Sequence, residues 1–161
     1  MSDLHIRAMR DEDVPAVVAL WHACALTRPW NDPHHDIAFA RTKPTSTILV
    51  GQAQKNDPVV ASVMVGYDGH RGWVYYLAVA PDRQGRGLGQ QMMKAAERWL
   101  LQQGVWKTQL MVRTGNEKVI RFYQTLGYTV SQTQVLERWI DASKRGDARG
   151  VDDTGPARDG I

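Results

Sequence analysis

Apolar and polar positions change rhythm several times along this chain, and each change marks an element. Leu4, Ile6 and Ala8 alternate with polar residues, which predicts a first strand. In RDEDVPAVVALWHACAL the apolar residues Val14, Val17, Val18, Trp21 and Cys24/Ala25 recur at helical spacing. Asp11, Glu12 and Asp13 stand where the positive end of a helix dipole favours acids, and Pro15 fits only an early turn. TRPWNDP breaks this helix, and a short second helix is expected over 33–41. STILVGQA and PVVASVMVGY read as strands joined by the KNDP turn, and DGHRG (68–72) makes another tight turn. WVYYLAVA is almost continuously apolar, as in a central strand buried on both faces.

A glycine-rich stretch, DRQGRGLGQ (82–90), follows that strand. A helix comes next, with Leu88, Met92, Ala95/Ala96 and Trp99 on one face, ending near Gly104. TQLMVR reads as a strand. NEKVIRFYQTL reads as a helix closed by Gly127, and YTVSQTQVLERWI as one or two final strands. The pattern predicts an α/β (α+β) domain: a mostly antiparallel sheet of six to seven strands with about four helices on both faces. From 142 onward large apolar residues almost vanish. The expectation is a folded domain over 1–141 and a disordered tail over 142–161.

Composition narrows the class. The 161 residues are 43% hydrophobic and 23% charged, an ordinary globular balance in one domain's length. The net charge of +3 suits an anionic ligand, and no dense basic run argues for nucleic acid. The longest apolar stretch is interrupted by His22 and is too short for a membrane span. The N-terminus is too polar for a signal peptide. Cys24 is the only cysteine, so no internal disulfide forms and a reducing cytoplasmic setting is expected. Cys24 lies on the apolar stripe and reads as core. His34-His35 diverge on a helix with no further cluster, so no metal is expected.

The glycine stretch carries the chemistry. It lies between a buried strand and a helix start, where unpaired N–H groups and the helix dipole favour an anion. Glycines let an anion approach the amides without Cβ interference, and Arg83 and Arg86 add charge. Gly85, Gly87 and Gly89 give G-x-G-x-G, not the G-x-G-x-x-G of a dinucleotide fold. No Lys-Ser/Thr follows, so it is not a P-loop.

Gln84-Gly85-Arg86-Gly87-Leu88-Gly89 resembles the Q/R-x-x-G-x-G/A motif of the GCN5-related N-acetyltransferase (GNAT) superfamily. Asn116 to Tyr128, NEKVIRFYQTLGY, resembles its second signature, with Val119 at the usual small-residue position. RPWNDP with GYDGHRG is similar to a bacterial YpeA-like subgroup. The resemblance covers about Leu4 to Ile140. It implies a sheet splayed at its middle and acetyl-CoA as cosubstrate. Amides from Gln84 through Gly85, Arg86, Gly87 and Leu88 to Gly89 would hold the pyrophosphate. The central-strand backbone at Leu77, Ala78 and Val79 would meet the pantetheine arm, with the Val79 N–H polarising the thioester carbonyl. Asn116 would touch the arm. Tyr123 would sit near the sulfur as proton donor, unless Phe122-Tyr123 are only core aromatics.

The base does not carry over. Met111 stands where some relatives have Glu, and Trp73 to Val79 holds no carboxylate. The remaining candidates are polar turns. Asp32 or Asp68 would hold the acceptor ammonium beside Asn31, Trp30 would supply an aromatic wall, and His70, or a water held by these groups, would take the proton. The implied activity is acetyl transfer to a primary amine of a small molecule or protein, by a monomer or homodimer. A catalytically silent acyl-CoA-binding module is the alternative.

Overall fold

The structure is a computed structural model and describes residues 3–148. Five strands form one sheet in the order β1 (His5–Ala8), β2 (Ser46–Gln52), β3 (Val59–Tyr67), β4 (Gly72–Val79), β5 (Thr108–Gln109). The first three pairings are antiparallel and β4 with β5 is parallel, so the sheet is mixed. Four α-helices accompany it: α1 (Val14–Ala23), α2 (Pro33–Arg41), α3 (Leu88–Gln102) and α4 (Glu117–Thr125).

Strand alternation divides the core into two layers. Leu49, Ala61, Val63 and Val65 face Met92, Met93 and Ala96 of α3 and Tyr123 of α4. Ile48 and Val50 face Val17, Trp21 and Ile37 of α1 and α2. Trp21 is fully buried, and its indole N–H donates to the buried Ser62 hydroxyl at 3.0 Å, so neither polar group is left orphaned. The Arg7 guanidinium grips the Asp13 carboxylate through two bonds of 2.6 and 2.9 Å. This ties β1 to the start of α1 and holds that carboxyl below its usual range.

β4 does not keep one register. It pairs Ser62 with Ala78, then resumes with Met64 opposite Tyr75, so Val63 faces two residues, Tyr76 and Leu77. This is a β-bulge, and Tyr76 takes φ +51°, a left-handed conformation unusual for a bulky residue. The extra residue flips the side-chain parity. Val74, Leu77 and Val79 all reach the α3–α4 layer, while Tyr76 and Ala78 reach the α1–α2 layer.

Two strand expectations need correction. The strand expected over TQLMVR is only Thr108–Gln109, and it pairs with β4 at two positions. The one or two strands expected after Gly127 do not form, so the sheet has five strands instead of six to seven. Apolar alternation alone does not make a strand; it needs an edge to pair with and a layer to cover it. Val130, Leu136 and Ile140 have neither, at 72%, 93% and 96% exposure. Of the expected tail, Ala142–Ala148 wind as a 3-10 helix, and 149–161 lie outside the described residues.

The β3–β4 turn is closed by one side chain. Asp68 accepts from the His70 and Arg71 amides at 2.9 and 2.8 Å and from the Trp73 indole at 3.0 Å. These bonds lower its pKa from 3.8 to about 2. A depressed carboxyl stabilises the fold fully above its unfolded pKa, and that contribution disappears as pH falls through the folded value. Asp68→Ala should therefore lower the urea midpoint at pH 7. The gap to wild type should close between about pH 4 and about pH 2; a gap independent of pH contradicts this role.

Candidate active site

Beyond Trp73 and Gln109, β4 and β5 no longer pair. The backbone of β4 therefore turns a row of groups into an open gap. Which groups these are follows from ladder alternation. The Ala80 N–H donates to Val60 at 2.8 Å, so Val60–Ala80 is a hydrogen-bonded pair, and Ser62–Ala78 is the next one. The N–H groups of Val79 and Leu77 consequently point away from β3, into the gap. Ala78 keeps its backbone toward β3, so of the three expected strand positions only two present amides to the gap.

A tight connection leads from β4 into α3. Pro81–Arg83 form a 3-10 turn, and Gly85 and Gly87 have φ +74° and +75°. Gly87 is the N-cap of α3, leaving the first-turn amides of Leu88, Gly89 and Gln90 without intrahelical partners. Gln84 returns its side-chain amide to the Val79 carbonyl at 3.1 Å, and Arg86 donates to the Asp82 carbonyl at 3.2 Å. These bonds fold the loop over the end of β4. A cleft runs from Gly85, Gly87 and Gly89 past Val79 to Lys118 and Phe122 of α4. No carboxylate lines it. Positive-φ glycines, a free helix start and a lysine are what an anionic phosphate group requires.

A second cleft continues through the strand gap. Leu77, Leu110, Met111, Asn116 and Tyr123 line it on the α4 side, and Arg28, Tyr75 and Tyr76 on the α1–α2 side. Asn116 caps α4, accepting from the Val119 amide at 3.4 Å. Tyr123 is 9% exposed and sits edge-on to Phe122 and Tyr128, at 5.1 and 5.5 Å. Its hydroxyl has no hydrogen-bond partner among the described residues. Burial pushes this phenol up, so it is fully protonated at neutral pH. Tyr128 is fixed in turn by donating to Glu97 at 2.7 Å.

The expected acceptor residues are dispersed. Asp68 and His70 lie exposed in the β3–β4 turn and line neither cleft, and Asp68 is engaged by its own turn. Asp32 caps α2 by accepting from the His34 amide at 2.9 Å. Trp30 is half-buried, Asn31 is exposed, bridges back to Arg28 and hydrogen-bonds the Tyr76 phenol through its side chain, and none of Trp30, Asn31 and Asp32 is itself a lining residue of the two clefts. Among the described residues no group of three His, Cys, Asp or Glu side chains could share a metal, and no helix is long and apolar enough to cross a membrane.

Two groups escaped the sequence reading. Tyr76 stacks on Trp21 at 4.0 Å with rings 7° from parallel, and its hydroxyl donates to Asp36 at 2.7 Å. Burial and then the Asp36 carboxylate push this phenol up. Arg28 enters the cleft from the loop after α1. Neither role has a local signal: Asp36 and Tyr76 are 40 residues apart, and Arg28 is only the first residue of the RPWNDP stretch.

Comparison with known proteins agrees with this geometry. The family model "Acetyltransferase (GNAT) family" matches residues 14–128. An acetyltransferase of Pectobacterium atrosepticum is 45% identical over 139 residues, covering 86% of this chain and 97% of that one. AAC(6')-Iy in complex with the bisubstrate analogue CoA-S-monomethyl-acetylneamine superposes with a TM-score of 0.72 at 15% identity, over 86% of this chain and 99% of that one. The ribosomal-protein-S18-alanine N-acetyltransferase of Escherichia coli gives 0.66 at 21% identity, over 80% and 79%. With its split sheet, glycine-opened helix and matching sequence, the chain belongs to the GNAT family of acetyltransferases.

Proposed function

We propose that the chain is an acetyl-CoA-dependent N-acetyltransferase that moves an acetyl group to a primary amine by direct attack, with donor and acceptor bound together. One observation carries this reading: the unpaired Leu77 and Val79 amides, the open start of α3 and the protonated Tyr123 phenol all border two neighbouring clefts that share Val119. The single cysteine, a buried free thiol, supports a cytoplasmic setting.

The residues present fit coenzyme A. The loop amides from Gly85 to Gly89 and Lys118 suit its pyrophosphate, and the strand-gap amides suit its extended, amide-rich arm. Acetyl-CoA supplies the activated acetyl thioester. The Val79 N–H is the donor for the carbonyl oxygen as charge builds on it. Tyr123 gives its proton to the departing thiolate.

The attacking amine must also lose a proton. Met111 cannot take it, and His70 lies outside the cleft. Tyr76 borders the acceptor side and is hydrogen-bonded to Asp36. As its oxygen accepts the amine proton, its own proton moves to the Asp36 carboxylate, which conserves charge without an additional reactant.

Three substitutions test these roles. Gly87→Val places a β-branched residue at φ +75° and should weaken acetyl-CoA binding by about tenfold or more. Titration calorimetry on the folded variant decides it, and unchanged affinity removes the cradle. Tyr123→Phe should lower kcat about 100-fold with the KM for acetyl-CoA little changed. Wild-type kcat in a chemistry-limited assay would return Tyr123 to a packing role. Asp36→Asn should lower kcat by a similar factor, about 100-fold, in a variant that still folds, because the Asn oxygen can accept the Tyr76 bond but cannot take its proton; full activity would dismiss the Tyr76 route. Thiol release across an amine panel tests the activity itself, since binding without turnover for every amine would indicate a silent acyl-CoA module.

A further inference from the structure

The two clefts share Val119, and the strand-gap cleft has a definite charge. Its charged lining residues are Arg28 and Arg113, and no Asp or Glu lines it. An amine acceptor is itself cationic before it reacts, so this lining is the wrong sign for a simple polyamine. A polycationic acceptor would bring several positive charges against the Arg28 guanidinium, at the repulsive cost of like charges in a half-enclosed space.

Arg28 is held in place by the carbonyls of its own loop. One guanidinium nitrogen donates to the Ala25 and Thr27 carbonyls, both at 2.9 Å, which fixes the plane of the group at the cleft wall. The residue is half-buried, yet no carboxylate stands at ion-pair distance from it among the described residues. The acids on the neighbouring helix are spent elsewhere, Asp32 on the α2 cap and Asp36 on Tyr76. A half-buried, oriented guanidinium offers a fork of donors whose natural partner is a forked oxyanion.

We propose that the acceptor is an amine that also carries a forked oxyanion, a carboxylate or phosphonate/phosphate group, which Arg28 binds at the α1–α2 side of the β4–β5 cleft. The anion neutralises the wall while the amino end is left toward the strand gap. The class is thus amino acid-like and not polyamine-like. This rests on the acetyl-transfer reading for its chemistry, but the binding it claims is measurable without turnover.

The test uses matched acceptors: α- and ω-amino acids, aminoalkyl phosphonates, the amino alcohols of equal length, and diamines. Each is titrated calorimetrically into the protein saturated with coenzyme A, and each is assayed for thiol release from acetyl-CoA. Wild type should bind the anionic amines about 10- to 100-fold more tightly than the neutral and dicationic ones, the range for a charge-assisted bidentate contact. The carboxylate and phosphonate arms show which oxyanion is preferred. Arg28→Gln should abolish the preference, and Arg28→Lys should restore only part of it, because the charge returns without the fork. Circular dichroism melts on both variants guard against loss of fold, and coenzyme A affinity should not change. Equal binding of anionic, neutral and dicationic amines, or a preference that survives Arg28→Gln, overturns the proposal. Anion-dependent binding that needs Arg28, with no acetylation of any amine, supports this site and instead defeats the acetyl-transfer reading.

Discussion

The β-bulge at Tyr76 is the constraint on which the rest of the molecule depends. One extra residue in β4 costs strain, because Tyr76 must adopt φ +51°. Three interactions compensate locally: the ring lies flat on the fully buried Trp21, the hydroxyl donates to Asp36, and the Trp21 indole is itself anchored to Ser62. The bulge sends Leu77 and Val79 to the α3–α4 layer and leaves their amides facing away from β3. It also lies just past the last β4–β5 pair, where the sheet opens. A regular strand here would pair its backbone or bury it, and it would offer nothing to a ligand.

From this one irregularity the functional elements line up. The end of β4 delivers the chain into the glycine loop, whose positive-φ residues start α3 with its amides exposed. α4 packs over the opposite side of the gap and brings Asn116 and Tyr123 to it. Each helix therefore contributes by the end or face that the strand gap leaves uncovered. The division of charge follows the same line. A lysine and helix amides border the cleft at the glycine loop, and guanidinium groups border the cleft in the strand gap.

Much of this was legible in the sequence because it depends on local rules. Period-2 and period-3.6 patterns place β2, β3 and all four helices, with α2 falling on Pro33–Arg41 as read. The glycines mark the tight turn into α3, where Gly85 and Gly87 take positive φ, and the second motif marks α4. The bulge was not legible: Tyr75-Tyr76 reads as uninterrupted strand, because the parity flip depends on what β3 places opposite. The final strands were misread for the related reason that alternation in 128–140 says nothing about whether a pairing edge exists. Arg28 and Asp36 acquire meaning only once α1, α2 and β4 are packed together. Asp68 and His70 looked chemical in a turn that uses Asp68 to close itself.

The central claim is that the split in the sheet presents specific β4 amides to the donor substrate. Residue-resolved amide hydrogen exchange, with and without saturating acetyl-CoA, tests it most directly. The account requires that the Leu77 and Val79 amides gain strong protection on binding, while the Ala78 amide, already paired with β3, is protected in both states. Unchanged exchange at Leu77 and Val79 under saturation, or protection gained at Ala78 in their place, would contradict it.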